Sequence, residues 1–185
     1  MKNRKKNRLQ GYDYSKDNLY FVTICVQNKL CCFGSVISIG TGRDLSVHHP
    51  NGNHPNENHP NENILMQLNQ YGLIVQEKME WLNQQYEYID IHNFVIMPNH
   101  IHLILEIKSS QVKNKEIKIK SLSSLMGAFK TTTSKLIHLS GFSEFSWQRS
   151  FHDHIIRNEL SYQNISNYID LNPKKWVQDK FYSKN

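Results

Sequence analysis

An α+β fold, an antiparallel sheet with helices on one or both faces, is what this sequence predicts, and three observations carry it. Short apolar runs rich in β-branched and aromatic residues mark strands. Longer stretches with apolar residues every three or four positions mark helices. The two kinds alternate irregularly, and one pair of strands is joined by a bend so tight, at 97–99, that they must run antiparallel.

At 185 residues the chain is long enough for one domain with a substantial core, and a single domain over 1–185 is expected. It opens with a basic tail, MKNRKKNRLQ (1–10), which holds Lys2, Arg4, Lys5, Lys6 and Arg8 and no acid. The first strand is read at 19–27 (LYFVTICVQ), and a second short one in the stretch up to about residue 39. Three five-residue units follow, HPNGN, HPNEN and HPNEN, at 49–53, 54–58 and 59–63. Their Asn, Pro, Gly and Glu content cannot build a core, so 40–63 reads as a low-complexity insertion. It holds His48, His49, His54 and His59, four of the ten histidines.

A short strand is expected at 64–68 and a helix at 71–86, from the spacing of Leu73, Ile74, Met79, Trp81 and Leu82. Residues 88–97 and 100–107 read as a hairpin with Met97, Pro98 and Asn99 at its bend. A second helix, 121–139, sets Leu122, Leu125, Met126, Phe129 and Ile137 against a polar face of Lys130, Thr132, Thr133 and Lys135. A further strand falls within 145–157. The last helix, SYQNISNYIDLNP (161–173), has Tyr162, Ile165 and Ile169 as its core face and must stop at Pro173, because proline disfavours helical backbone in the residue before it.

The formal charge is +6 and the sequence pI about 9.2, with a second basic cluster at Lys108, Lys113, Lys115, Lys118 and Lys120. Such clusters give sequence-independent affinity for a polyphosphate partner. Cys25, Cys31 and Cys32 fit neither a disulfide framework nor zinc spacing and read as reduced thiols. No apolar run reaches the roughly 18 residues of a membrane helix, and the basic start is not followed by a signal-peptide core. A cytoplasmic, nucleoid-associated protein without membrane contact is expected.

Two features carry chemistry. Within NFVIMPNHIHLIL (93–105), written out by parity, Val95, Met97, Asn99, Ile101, Leu103 and Leu105 form a nearly all-apolar face. His100 and His102 share the other, with Cβ atoms roughly 7 Å apart. At that spacing two imidazoles hold one metal ion, or they are buried histidines satisfied by backbone carbonyls. In the last helix Tyr168 and Asn172 lie one turn apart on one face. Their ordinary reading is a tyrosine at the packing margin and a C-terminal cap before Pro173.

In combination these motifs resemble a known family. HIH after an apolar strand ending in MPN, then FSWQRSFHDHIIRNE, then YIDLNPKKW, is similar to the REP-associated tyrosine transposases, in the single-tyrosine branch of the HUH nuclease superfamily. YDYSKDNLYFVTICV and LMQLNQYGLIV resemble that family's opening strand and first helix, so the likeness spans most of 9–176 and leaves 40–63 outside. The resemblance implies a ferredoxin-like α/β sandwich with a central antiparallel sheet. It implies that His100, His102 and Asn172 bind a divalent metal, Mg2+ or Mn2+, and that Tyr168 is the nucleophile. Asn172 is one methylene shorter than the Gln usual in related insertion-sequence enzymes.

The activity so implied is metal-assisted cleavage and rejoining of single-stranded DNA near hairpins, through a 5′-phosphotyrosine intermediate. Exchange of one phosphodiester for another is nearly isoenergetic and needs no ATP. The expected partner is single-stranded or hairpin DNA, and the expected state a monomer or homodimer. Lys5, Arg8, Lys130, Lys135, Arg149, Lys174 and Lys175 are candidate phosphate contacts, and Trp147 and Phe151 candidate base-stacking groups, with core packing as the plainer role for Trp147. The alternatives are a transposase descendant that holds hairpin DNA without cutting it, a replication or transfer initiator using the same chemistry, and a metal-dependent hydrolase with Tyr168 as a bystander.

Overall fold

A computed structural model describes residues 9, 11–40, 62–112, 114 and 116–182. The apolar runs and helical spacings become, in chain order, β1 (Asn18–Cys25), β2 (Gly34–Gly40), β3 (Glu62–Leu68), α1 (Gln70–Gln85), β4 (Ile89–Ile96), β5 (His100–Ile107), α2 (Leu122–Leu139), β6 (His152–Ile156) and α3 (Glu159–Leu171). Three 3-10 turns punctuate them, the last at Pro173–Gln178. Each helix begins where a side chain replaces the missing backbone acceptor. Asn69 caps α1, Ser121 caps α2 and Asn158 caps α3.

Four strands form the central sheet in the order β4-β5-β1-β6, all antiparallel. With α1 before β4 and α2 before β6, the core path is β-α-β-β-α-β, the ferredoxin-like arrangement. Strands β2 and β3 pair separately as a two-stranded ribbon, in register from Gly34 with Leu68 to Gly40 with Glu62. The expected insertion is therefore bounded by a strand pair: Gly40, Glu62 and Asn63 are ladder residues, and 41–61 lie outside the described residues.

The sheet divides two apolar layers. Tyr20, Val22 and Ile24 of β1 and Ile101, Leu103, Leu105 and Ile107 of β5 pack against Val75, Met79 and Leu82 of α1 and Leu122, Leu125, Met126 and Phe129 of α2. The opposite face is thinner: Ile104, Ile156 and Ile169 are buried there, with Phe21, Val95, Tyr162 and Ile165 partly buried around them. The expected core face of the last helix thus lies on the sheet.

Three readings are corrected. The parity pattern does not run unbroken through the hairpin, because Val95 pairs with His102 and Ile96 with Ile101, odd with even. Ile96 and Phe94 therefore share the helix-covered face with Ile101, while Val95 and Met97 lie on the histidine side. The strand expected within 145–157 shrinks to His152–Ile156 plus one bridge from Trp147 to Val26, because Phe145, Trp147 and Phe151 bury their rings in the core without a continuous ladder. Helix α3 starts at Glu159, two residues earlier than expected, because Asn158 caps it. Among the described residues no helix is long and apolar enough to cross a membrane.

Candidate active site

His100 and His102 stand at the start of β5, opposite Cys25 and Thr23 of β1. They face away from the main core, yet α3 and the chain after it cover them completely: they are 0% and 1% exposed. Side chains, rather than backbone carbonyls, satisfy their inner nitrogens. His100 Nδ1 lies 2.9 Å from Asn99 Oδ1, and His102 Nδ1 lies 2.8 Å from the Thr23 hydroxyl.

The first of these contacts fixes a tautomer. Asn99 Nδ2 donates to the carbonyls of Lys29 and Phe181, at 3.0 and 2.9 Å, so its Oδ1 is the atom turned to His100. An amide oxygen only accepts, so the proton of His100 sits on Nδ1 and its Nε2 presents a lone pair. Burial, together with the charges of Lys180 and Lys29, pushes the His100 pKa down to about 3. Burial, followed by the neighbouring His100, pushes that of His102 down to about 2. Both rings are therefore neutral near pH 7, the form in which imidazole binds metal.

The two Nε2 atoms converge at 3.1 Å. Two donors each about 2.1 Å from one ion and at right angles to each other lie about 3 Å apart. Helix α3 brings the other candidate groups over this point. Tyr168 Oη is 3.2 Å from His102 Nε2, its ring against His102 and edge-on to Phe21. It remains 37% exposed, which leaves the phenol open to a large substrate. Burial, then the negative charge of Asp179, raises the phenol pKa above its ordinary value.

Asn172 ends α3 with helical backbone, its N–H bonded to the Ile169 carbonyl, and is 1% exposed. Its Nδ2 donates to Asp179 Oδ2 at 3.2 Å, but its buried Oδ1 has no hydrogen-bond partner. An orphaned buried acceptor beside two converging imidazole nitrogens is the chemistry of a cation site. The residues present fit a divalent metal with His100, His102 and Asn172 as donors.

Asp179 escaped the sequence reading. One of its carboxylate oxygens falls within 4.8 Å of a ring nitrogen on each histidine, and its Oδ2 accepts from Tyr168 Oη at 3.4 Å. No spacing rule points to it, because it reaches the site only through the turn after Pro173. Asn99 and Thr23 were likewise invisible as histidine partners until the strands paired.

The candidate DNA contacts scatter more widely. Lys174 and Lys175 are exposed on the turn directly after Asn172, and Lys135 and Arg149 are exposed elsewhere. Lys130 is half-buried and donates to the Gln148 and Arg149 carbonyls at 2.6 and 3.1 Å, so it holds a loop in place. Trp147 and Phe151 are buried, which fits core packing and withdraws them from base stacking. Lys108 is paired with Asp90 and Glu106. Lys5, Arg8, Lys113, Lys115 and the four histidines of the insertion lie outside the described residues.

Comparison with known proteins bears on the family and the fold. Residues 69–172, from the cap of α1 to Asn172, match the family described as transposase IS200-like. An uncharacterized protein of Haemophilus influenzae is 33% identical over 97% of this chain and 93% of its own length. Among solved structures, a REP-associated tyrosine transposase bound to a REP hairpin has a similar fold, with a TM-score of 0.53 over 91% of this chain and 73% of that one, at 18% identity. The chain belongs to the IS200-like transposase family.

Proposed function

We propose that this protein is a single-stranded DNA nicking and joining enzyme in which Tyr168 attacks a phosphodiester next to a DNA hairpin. What carries the reading is the meeting of the Tyr168 hydroxyl with two converging, neutral imidazoles and an orphaned amide oxygen. Tyr168 Oη forms a bond to phosphorus as the bond to the 3′ oxygen breaks, giving a 5′-phosphotyrosine and a free 3′-OH. The phenolic proton is lost and the departing oxygen gains one. Reversal by another 3′-OH rejoins the strand without ATP.

His100, His102 and Asn172 would hold a divalent cation, magnesium or manganese. Its charge would offset both the raised pKa of the phenol and the charge that builds on the scissile phosphate. The chain's own residues do the positioning. Asn99 and Thr23 orient the imidazoles, and Phe21 packs edge-on with the Tyr168 ring. Lys174 and Lys175, two and three residues past Asn172, suit the flanking phosphates. The hairpin preference is taken from the relative of similar fold, whose structure contains one.

The test is covalent trapping. Labelled single-stranded DNA carrying hairpins from around the gene is incubated with the protein and Mg2+ or Mn2+, then run on a denaturing gel. The expected result is a protein–DNA adduct that disappears in Tyr168→Phe. Cleavage without an adduct would indicate a hydrolase, and hairpin retention without any product in either metal would indicate a binding protein.

A further inference from the structure

We infer that Asp179 is an anionic donor to the cation held by His100 and His102, completing a set that would otherwise be neutral; the inference rests on the reading of this site as a metal centre. Two imidazoles and one carboxamide bring no charge into a buried pocket. A carboxylate among the oxygen donors is what raises affinity for a hard dication. Among the described residues, Asp179 is the acidic side chain that groups with these two histidines.

The placement of Asp179 is built rather than incidental. The 3-10 turn Pro173–Gln178 follows α3 at once and folds the chain back over the histidines. Trp176 and Phe181 are buried there beside Cys25 and Met97, with the Phe181 ring 4.6 Å from that of His100. Asp179 Oδ1 accepts the Phe181 N–H at 2.6 Å, which fixes the carboxylate rotamer and leaves Oδ2 facing the site. Asn99 ties the parts together, since one side chain holds the His100 ring through Oδ1 and the Phe181 carbonyl through Nδ2.

The Asn172 contact follows the same logic. Asp179 Oδ2 accepts from Nδ2 of Asn172, the end that could not bind a cation, and so leaves the orphaned Oδ1 as the free end of that amide. One carboxylate thus brings its own charge to the pocket and settles which end of the neighbouring amide is available.

The experiment is a Mn2+ titration of the full chain, with free Mn2+ read by its paramagnetic resonance signal and no DNA present. The wild type should bind Mn2+, and His100→Ala should abolish binding. Asp179→Asn, similar in shape but uncharged, should weaken it 10-fold or more, and Asp179→Glu should recover part of the loss. Metal-free melting serves as the fold control, and Asp179→Ser, which keeps an acceptor for the Phe181 N–H, repeats the test if the Asn variant does not fold. Unchanged Mn2+ affinity in Asp179→Asn, with His100→Ala inactive in binding, would overturn this inference alone. So would unchanged affinity accompanied by faster adduct formation, the mark of a carboxylate that obstructs the site. Equal binding by wild type and His100→Ala would overturn the metal-centre reading itself.

Discussion

Thr23→Val tests whether His102 is held in the tautomer that metal binding requires. Thr23 is 5% exposed and its hydroxyl lies 2.8 Å from His102 Nδ1, inside the sheet and away from solvent. For Nε2 to offer a lone pair, Nδ1 must carry the proton and the hydroxyl must accept it. Valine keeps the shape of threonine and removes the acceptor, leaving a buried N–H unsatisfied, which costs about 1–3 kcal/mol. Loss of such an outer partner lowers metal affinity about 10–100-fold, or about 1.4–2.7 kcal/mol. The expected outcome is a lower metal-free melting temperature, a Mn2+ affinity reduced by about one to two decades, and adduct formation that recovers when Mn2+ is raised to saturation. Titration and trapping on the same preparation measure all three. A lowered melting temperature with unchanged Mn2+ affinity would refute the reasoning, because His102 would then not need an Nδ1 proton to do its work.

Three further outcomes are expected. Asn93 Nδ2 of β4 donates to Ser166 Oγ and Asp170 Oδ1 of α3, both at 2.8 Å, on a helix with Ile169 as its one fully buried residue. Asn93→Ala should cost about 1–2 kcal/mol in denaturant unfolding and slow adduct formation at saturating metal. His100 and His102 titrate far below the 6.5 of an unfolded histidine, so below that pH the unfolded chain takes up protons that the folded chain refuses. Metal-free stability should therefore fall between pH 7 and 5.5 by about 2–3 kcal/mol for the pair and stay flat above pH 7, as urea titrations at each pH would register. Replacing Lys174 and Lys175 together by Ala should reduce the salt dependence of single-strand binding by a slope of about 1.4, measured by anisotropy, with Mn2+ affinity unchanged.

Sheet, helices and the pairings of His100 with His102 and of Tyr168 with Asn172 were legible because each obeys a short-range rule. The apolar runs of β1 and β5, the three-to-four spacing of α1 and α2, and the one-turn offset of Tyr168 and Asn172 all lie within a few residues of chain. The overlong strand at 145–157 shows where such rules fail. Phe145 and Trp147 carry strong strand preference but spend it on packing around Phe33, which no local window reveals. The continuous parity through the hairpin failed for a similar reason, since the register across the 97–99 bend decides which residues share a face. Thr23, Asn99 and Asp179 became visible only after β1 paired with β5 and the chain closed over α3. The run of Trp176 and Phe181 beyond Pro173 was the available hint that this stretch packs.

The β2–β3 ribbon bears on how this gene can change with time. Its last ladder pair, Gly40 with Glu62, brings together the two ends of a 21-residue segment that contains repeated five-residue units. Repeats of that kind are gained and lost whole when a copying strand slips. Each halving or doubling of a loop whose ends are already joined alters closure by only about 0.6 kcal/mol. Of the residues that set the register of β2 with β3, only Glu62 and Asn63 belong to a unit, so it would be the same with fewer or more whole units as long as the last one stays in place. Related chains can therefore differ widely in length at this one point while every distance around His100, His102 and Tyr168 stays as it is.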